Sequence, residues 1–365
     1  MGTCRLESLT KLFMARLSRV LIIATAILLF AINSLSSQPR RYPVAFYNLE
    51  NLFDTIDTPN VVDEEFTPTG PYQWGSQRYY KKLSNIEEVF YRLAQAAGSF
   101  PAVIGLSELE NRNVLEDIVS LPKLVKANYQ IVHYDSPDVR GVDVALIYRP
   151  SVFNYEGSSS LRVKVEGKPD FKTRDILMTW GTIDGEKFYF FVCHWPSRRG
   201  GEQPSEPLRC AAAKVARDAI DSVTKIDPKA SFILMGDLND DPVNRSIYEV
   251  VGAKGKMSEA KNPGDMFNPF HSMFKAGYGS LAYQDSWNLF DNIVVSYNLI
   301  NNPKQKVVLA KSDNNKFWGN IFNRSFLTQQ SGQYKNYPLR TFVGTNFQGG
   351  YSDHFPVFIY LLSKQ

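Results

Sequence analysis

The stretch LMGDLNDDP, residues 234–242, runs from apolar residues directly into Asp237, Asn239, Asp240, Asp241 and Pro242. A strand that only has to turn can use Gly, Asn or Pro. It has no need of a carboxylate and an amide two positions apart. Side chains alternate along a strand, so Asp237 and Asn239 point to one side. The stretch therefore reads as a buried strand that carries polar groups to a site at its C-terminal end, with Asp240 and Asp241 capping the turn before Pro242.

Outward from this stretch, short runs rich in Val, Ile, Phe and Tyr recur. They are PVAFYN (43–48), AVIGLSE (102–108), YQIVHY (129–134), VDVALIYR (142–149), KFYFFVCH (187–194), SFILMGD (231–237), LFDNIVVS (289–296) and FPVFIYLL (355–362). Gly, Pro, Asn or Asp bound them, and they read as strands. Several lack strict alternation, as strands covered on both faces do. Leu83, Ile86, Val89, Phe90 and Leu93 predict a helix over 77–97. Leu208, Ala212, Val215, Ala219 and Val223 predict another over 206–223, with Ser205 as N-cap and Pro207 in its first turn. Strands and helices interspersed along the chain predict one layered α/β domain over 40–365. The segments 252–285 and 301–346, rich in Gly, Asn, Pro or Lys, predict long surface excursions near the mouth of a site.

Composition sets the outer bounds. With 44% hydrophobic and 21% charged residues, the chain can bury a large core and is not disordered. Lys11, Arg16 and Arg19 precede an uncharged, mostly apolar run over 20–32, and Ser34 and Ser36 follow at the spacing of a cleavage site. This predicts an export signal over 1–36, with a mature protein outside the cytoplasm, in the periplasm, secreted or at the envelope. The alternative is an uncleaved N-terminal anchor, the one route to a membrane. Residues 1–36 carry Arg5, Lys11, Arg16 and Arg19 against Glu7, so most of the chain's net charge of +4 lies in the signal. Beyond it only Cys193 and Cys210 remain, which excludes a disulfide framework. No Cys/His spacing suggests zinc.

Other strand ends finish in polar groups as well. Asn48 ends the first run, with Glu50 two residues on. Glu108 ends the second, and His194, followed by WPSRRGG, ends another. Asp291 opens FDNIVV, and Ser352, Asp353 and His354 precede the last strand. Each alone is weak. A single acid at a strand end is usually a solvated cap, a histidine on an apolar strand is usually a hydrogen-bonded core residue, and SDH alone reads as an Asx turn. Together they carry weight. Hard oxygen donors such as Glu108 suit Mg2+ or Mn2+ rather than zinc, imidazoles suit proton transfer near neutral pH, and amides suit phosphate oxygens.

In chain order, FYNLENLFD, IGLSELEN, RGVDVALIYRP, CHWPSRRGG, MGDLNDDP, FDNIVVS and SDHFPV resemble the motifs of the endonuclease/exonuclease/phosphatase superfamily. This is the deoxyribonuclease-like fold shared with apurinic endonucleases, sphingomyelinases and inositol-phosphate phosphatases, and the resemblance covers roughly 43–362. It implies a four-layer α/β sandwich, two mixed β-sheets face to face with helices outside. It also implies that Asn48 and Glu108 hold the metal, Glu108 as principal ligand, with Asp353 beside it. Asp237 and Asn239 would orient the attacking water and the scissile phosphate. Asp291 would support the catalytic His354. His194 matches the second histidine of pancreatic deoxyribonuclease and sphingomyelinases; apurinic endonucleases have a tyrosine nearby instead, which points away from that subgroup.

Secondary candidates follow. Arg140, Arg198 and Arg199 could grip a phosphate, or form surface ion pairs and a solvated loop. Glu50 and Asp143 could support the ligands or lie at the surface. Arg209 could approach the site or pack its stem on the helix. His133 and His271 receive no role. The implied activity is hydrolysis of a phosphodiester, nucleic acid foremost, by a Mg2+- or Mn2+-dependent attack of water on phosphorus. The alternatives are a phosphatase or phospholipase-type esterase acting on a small molecule or lipid headgroup, and a binding module that has lost catalysis. The intact set of motifs argues against the last. Near-neutral mature charge argues against tight, salt-sensitive DNA binding, although WPSRRGG puts positive charge beside His194.

Overall fold

Alternation along the strands builds the architecture. In β1 (Arg40–Leu52), Val44 and Phe46 face one side, and Ala45 and Tyr47 the other. The same holds for β2 (Val103–Leu109), β3 (Gln130–His133) and β4 (Asp143–Tyr148). Next come β5 (Phe153–Leu161), β6 (Ile176–Ile183), β7 (Glu186–His194), β8 (Ser231–Asp237), β9 (Asp291–Ser296), β10 (Val307–Ala310) and β11 (Val357–Ser363). The helices are α1 (Ser76–Ala97), α2 (Arg112–Ser120) and α3 (Glu202–Ile226). This computed structural model describes residues 39–364 apart from 60 and 314, together with 14, 16–19, 21–23 and 25.

One sheet runs β10-β11-β1-β2-β4-β3, and the other runs β5-β6-β7-β8-β9 and continues through the short strands Met266–Phe267 and Ala253–Lys254. Both are mixed. β1 and β2 are parallel while β4 is antiparallel to β2; β7 and β8 are parallel while β9 is antiparallel to β8. Burying both faces of each sheet requires four layers. Val44, Phe46, Val103, Leu146, Phe188, Phe190, Val192, Ile233, Met235, Ile293, Val295 and Ile359 pack between the sheets. α1 covers the outer face of the first sheet through Leu83, Ile86, Val89, Phe90 and Leu93. α3 covers the outer face of the second through Ala212, Ala213, Ala216 and Ile220. Small residues on that face bring α3 close to the sheet. The four-layer expectation is met.

Several local expectations change. The second helix begins at Glu202, not 206, with Gly201 at its N-cap. Ser205 therefore lies inside it, where its hydroxyl accepts from Arg209 Nη1 at 2.7 Å. β5 and β6 add to the expected strands; β5 is a half-exposed edge strand, FNYEGSSSL, and β6, ILMTWGTI, alternates buried and half-buried residues from Leu177 to Ile183. The segments 252–285 and 301–346 are not purely surface, since the first adds two short strands to the second sheet and the second supplies β10 to the first. Cys193 and Cys210 are both free thiols.

The chain divides into two units, residues 1–40 with 363–365, and residues 41–362. The described residues between 14 and 25 are helical and exposed. The rest of the expected export signal, with its cleavage site, lies outside the described residues. No helix among the described residues is long and apolar enough to cross a membrane.

Candidate active site

The inward-facing rows of five strands end in polar side chains. Val44 and Phe46 lead to Asn48; Val103 and Gly105 lead to Ser107; Phe188, Phe190 and Val192 lead to His194; Ile233 and Met235 lead to Asp237; Ile293 and Val295 lead back to Asp291. A period of two therefore carries each row from the core to the site. Strand register does the rest. His194 pairs with Asp237, and Asp237 pairs with Asp291, so three site residues stand side by side across β7, β8 and β9. Gly105 lets the sheets close behind them, since a Cβ there would stand 2.6 Å from Met235 Sδ.

Asn48 joins the two sheets. Its Nδ2 donates to Asp237 Oδ2 at 3.0 Å and to Glu108 Oε1 at 3.2 Å. Its Oδ1 is held by the Glu50 N–H at 2.8 Å, which fixes the amide orientation. Asn48 thus stands between the two carboxylates and orients them, and its Oδ1 keeps a second lone pair. Glu108 stands at the end of β2 with φ of 57°, in the left-handed region, and Oε2 accepts from Asn51 N at 3.0 Å. Glu50, Asn51 and Asn239 also have positive φ. Such backbone costs of order 1–3 kcal/mol per residue for non-glycine side chains, and here it gathers at the ends of β1, β2 and β8.

Two histidines flank the carboxylates in opposite states. His354 Nδ1 lies 2.7 Å from Asp291 Oδ2, and the Ser280 hydroxyl donates to that same carboxylate. Its Nε2 lies 3.8 Å from Asp237 Oδ2 and 3.9 Å from Asp353 Oδ1. Burial disfavours its charged form, but Asp291 and Asp237 outweigh burial and hold its pKa well above the usual histidine value. His194 has no carboxylate in hydrogen-bond contact; Nε2 is 3.6 Å from Glu108 Oε1 and 3.7 Å from Asp237 Oδ2. Burial, then Arg174 and Arg140, push it well below the usual value, so it is neutral at pH 7. Its Nδ1 is buried with no hydrogen-bond partner among the described residues. An orphaned N–H would cost more than an orphaned lone pair, so the ring proton belongs on Nε2, facing the carboxylates. Burial raises Asp237 to about 7, His354 opposing and Asp291 and Glu108 adding to the rise.

Glu108, His194, Asp237 and His354 line a cleft of about 590 Å³, together with Asp138, Arg140, Lys172, Arg174, Arg199, Asn239 and Asp353. Arg140 reaches it with Nε 3.6 Å from Asp138 Oδ1. Arg199 is exposed at its edge. Asn239 donates its amide to Trp195 O at 3.0 Å and its backbone N–H to Asp237 Oδ1 at 3.0 Å. Asp353 is anchored by Arg340 Nη2 at 2.7 Å.

Three secondary candidates belong elsewhere. Arg198 is saturated: Nε donates to Asn239 O at 3.0 Å, Nη1 to Glu202 at 2.9 Å, Nη2 to Asn244 at 3.1 Å, and the guanidinium lies over Phe290. It secures the loop carrying Asn239 and has no donor pattern free for a phosphate. Asp143 binds His133 Nε2 at 3.0 Å and the Ser136 hydroxyl at 2.6 Å, and so holds the base of the 134–142 loop without lining the cleft itself. Glu50 accepts from Thr341 N at 2.6 Å and Arg340 Nε at 3.3 Å, with buried Lys82 Nζ at 3.8 Å, and ties the segment before His354 to β1. Asp240 does more than cap a turn. It forms a fully buried ion pair with Arg209, Nε to Oδ1 at 2.7 Å.

Sequence reasoning missed Arg174. It is buried and donates to His194 O at 3.1 Å, to Trp195 O at 2.8 Å and to Asp138 Oδ2 at 3.0 Å. A single arginine before a strand carries no motif. Its one legible sign is a charge abutting an apolar run.

Glu108, His194 and Asp237 offer ligand atoms within 4.8 Å of one another. Two carboxylates side by side, one buried and one half-buried, are a donor set for a hard divalent ion. The group His133, Asp135 and Asp143 also falls within that span. There His133 and Ser136 already occupy the Asp143 oxygens.

The Endonuclease/Exonuclease/phosphatase family matches residues 43–363. No curated protein matches the chain. Among solved structures, humanized D. rerio TDP2 with 14 mutations is similar at 13% identity and TM-score 0.51, over 88% of this chain and 98% of that one. D. rerio TDP2 complexed with single strand DNA product is similar at 14% identity and TM-score 0.50, over 88% and 98%. SeMet TDP2 from Caenorhabditis elegans is similar at 15% identity and TM-score 0.50, over 89% and 75%. At these identities the likeness shows the fold. The family match spans both sheets and every strand end that reaches the cleft, and enzymes of this family use divalent metal ions. The chain belongs to the endonuclease/exonuclease/phosphatase family and is a phosphoric ester hydrolase.

Proposed function

We propose that this chain is an exported phosphodiesterase that cleaves nucleic acid by attack of water on phosphorus, with Mg2+ or Mn2+ as its cofactor. The observation that carries the reading is the meeting of the Asp291–His354 pair, Asp237, Glu108 and neutral His194 at one end of the two sheets. Glu108 and Asp237 would hold the metal, with Asp353 close by, and the ion would supply charge stabilisation at the phosphoryl oxygens. Asp237 orients the water and accepts its proton. Asn239 has one amide hydrogen committed to Trp195 and a second for a phosphate oxygen. His354 is kept protonated by Asp291 and offers Nε2–H to a developing negative charge. His194 donates from Nε2 without adding charge.

Nucleic acid is favoured because the cleft continues into a groove of about 810 Å³ that shares Arg199, Asn239, Phe290 and Asp353 with it. A polymer can thus extend past the reacting phosphate. Lys172 and Arg199 lie exposed along the cleft and, among the described residues, pair with no carboxylate. The D. rerio TDP2 structure with a single strand DNA product shares the fold and is consistent with this substrate class. A small phosphorylated molecule is the second reading, since about 590 Å³ lies in the range of small-ligand sites. Hydrolysis assays on plasmid, single-stranded DNA, RNA, sphingomyelin and inositol phosphates, each with Mg2+ or EDTA, decide between them. Release of phosphate from monoesters with no cleavage of any polymer would overturn the nuclease reading. Export rests on the sequence over 1–36. N-terminal sequencing should find a mature start near residue 37 outside the cytoplasm, and an intact Met1 in a soluble cytoplasmic fraction would refute it.

A further inference from the structure

Beside the cleft lies a second pocket of about 340 Å³ that the chemistry above leaves unused. Its walls are Tyr283, Gln284, Gln329, Tyr334 and Tyr337, and Arg340 and Asp353 join it to the reacting centre. Tyr283 is 66% exposed and Tyr334 48% exposed. Aromatic rings left in water around a concavity mark a surface that awaits a partner.

The pocket is built rigidly onto the catalytic frame. Leu281–Tyr283 and Ser286–Asn288 form a hairpin whose turn residues, Gln284 and Asp285, both have positive φ, as a tight two-residue turn requires. Asp285 accepts the Tyr337 hydroxyl at 3.0 Å, and the Tyr337 ring packs on Trp287 with centroids 5.5 Å apart. At the hairpin's base, Ser280 donates to Asp291, and its carbonyl accepts the Phe355 N–H at 2.7 Å. Ser280, which donates to the Asp291 carboxylate, and Phe355, next to His354, therefore tie the hairpin that carries Tyr283 to the catalytic frame, and Tyr337 links Tyr334 to it, ring against ring.

We propose that Tyr283 and Tyr334 form a nucleobase subsite, in which a base one step along the substrate strand stacks while its phosphate sits in the cleft. The proposal rests on the nucleic-acid reading and deepens it. Ring faces recognise any base through its π-surface, and the side-chain amides of Gln284 and Gln329 stand at the same wall to meet a base edge. Beside Pro338 and Val343 the lining carries hydroxyls, amides and the charged Arg340, which suits a flat ring with a polar edge better than an aliphatic chain.

The test compares single-stranded oligothymidylate with an oligomer of the same length made of abasic units, so that charge and backbone are kept and the bases removed. Steady-state kinetics with Mg2+ would be measured for wild type, Tyr283→Ala, Tyr334→Ala, the double variant and Tyr283→Phe. Both tyrosines are exposed, so folding is not at stake. The expected result is a KM for oligothymidylate raised about tenfold by loss of a stacking face, an unchanged kcat, rescue by Tyr283→Phe, and no change toward the abasic oligomer. If the alanine variants lose both substrates equally, or neither, the subsite is refuted while the nuclease reading stands. If wild type cleaves neither oligomer, the subsite is refuted, and the plasmid and RNA assays above decide the nuclease reading separately.

Discussion

His354 Nδ1 and Asp291 Oδ2 stand 2.7 Å apart although 63 positions separate them in sequence, and both side chains are buried. The carboxylate fixes the ring tautomer and favours the imidazolium. Asp291→Asn should lower kcat about a hundredfold, the usual worth of a positioned acid or base. His354→Ala should cost at least as much. The double variant should be little worse than His354→Ala, because the two act as one unit. Independent, multiplying losses in a double-mutant cycle would assign Asp291 a separate task.

Glu108 is the carboxylate nearest His194 Nε2 and is tied to Asn48 and Asn51 N. Glu108→Gln keeps its size and removes its charge. Titration calorimetry should show Mg2+ affinity reduced at least about tenfold, since even groups that merely support a ligand cost that much. Activity should fall with it, while the melting temperature in EDTA stays close to wild type. Undiminished Mg2+ binding would remove Glu108 from the ligand set.

The Arg209–Asp240 pair is fully buried behind the loop that carries Asn239. Arg209→Met strands the carboxylate in the interior, with only Arg198 Nη2 at 3.3 Å left as a cation. Urea unfolding should show a loss of about 3 kcal/mol, the cost of breaking a buried pair from one side. Asp240→Asn in the same background should restore part of it. Equal stability of the single variant and wild type would show that the pair contributes nothing.

His271, outside the site, supplies a pH signature. Burial, with Lys275 adding, holds its pKa below the ordinary 6.5. The unfolded chain therefore binds a proton that the folded chain resists. The associated stability is complete above pH 6.5 and is lost as pH falls through the lowered folded value. His271→Gln should flatten this part of the stability profile, so the variant gains on wild type as the solution is acidified below neutrality. Parallel profiles from denaturant melts across that range would count against it.

Sequence alone determined the layered fold, the strands that build the site and the residue that each offers at its end. It could do so because alternation is a local property: Phe188, Phe190 and Val192 already declare the side on which His194 stands, and Ile233 and Met235 do the same for Asp237. Which of these residues meet was decided by register, which pairs His194 with Asp237 and Asp237 with Asp291. The roles of isolated polar residues were likewise beyond local reading. Lys82 finds Thr341 across 259 positions, and Arg174 finds the carbonyls of His194 and Trp195 only where β6 lies beside β7. Arg198, which by its place after His194 could grip a phosphate or lie in a solvated loop, turns instead to the acceptors that the folded 239–244 loop presents. A buried charge takes whichever partners the packed chain brings within hydrogen-bond reach, and that choice exists only once the two sheets have closed on each other.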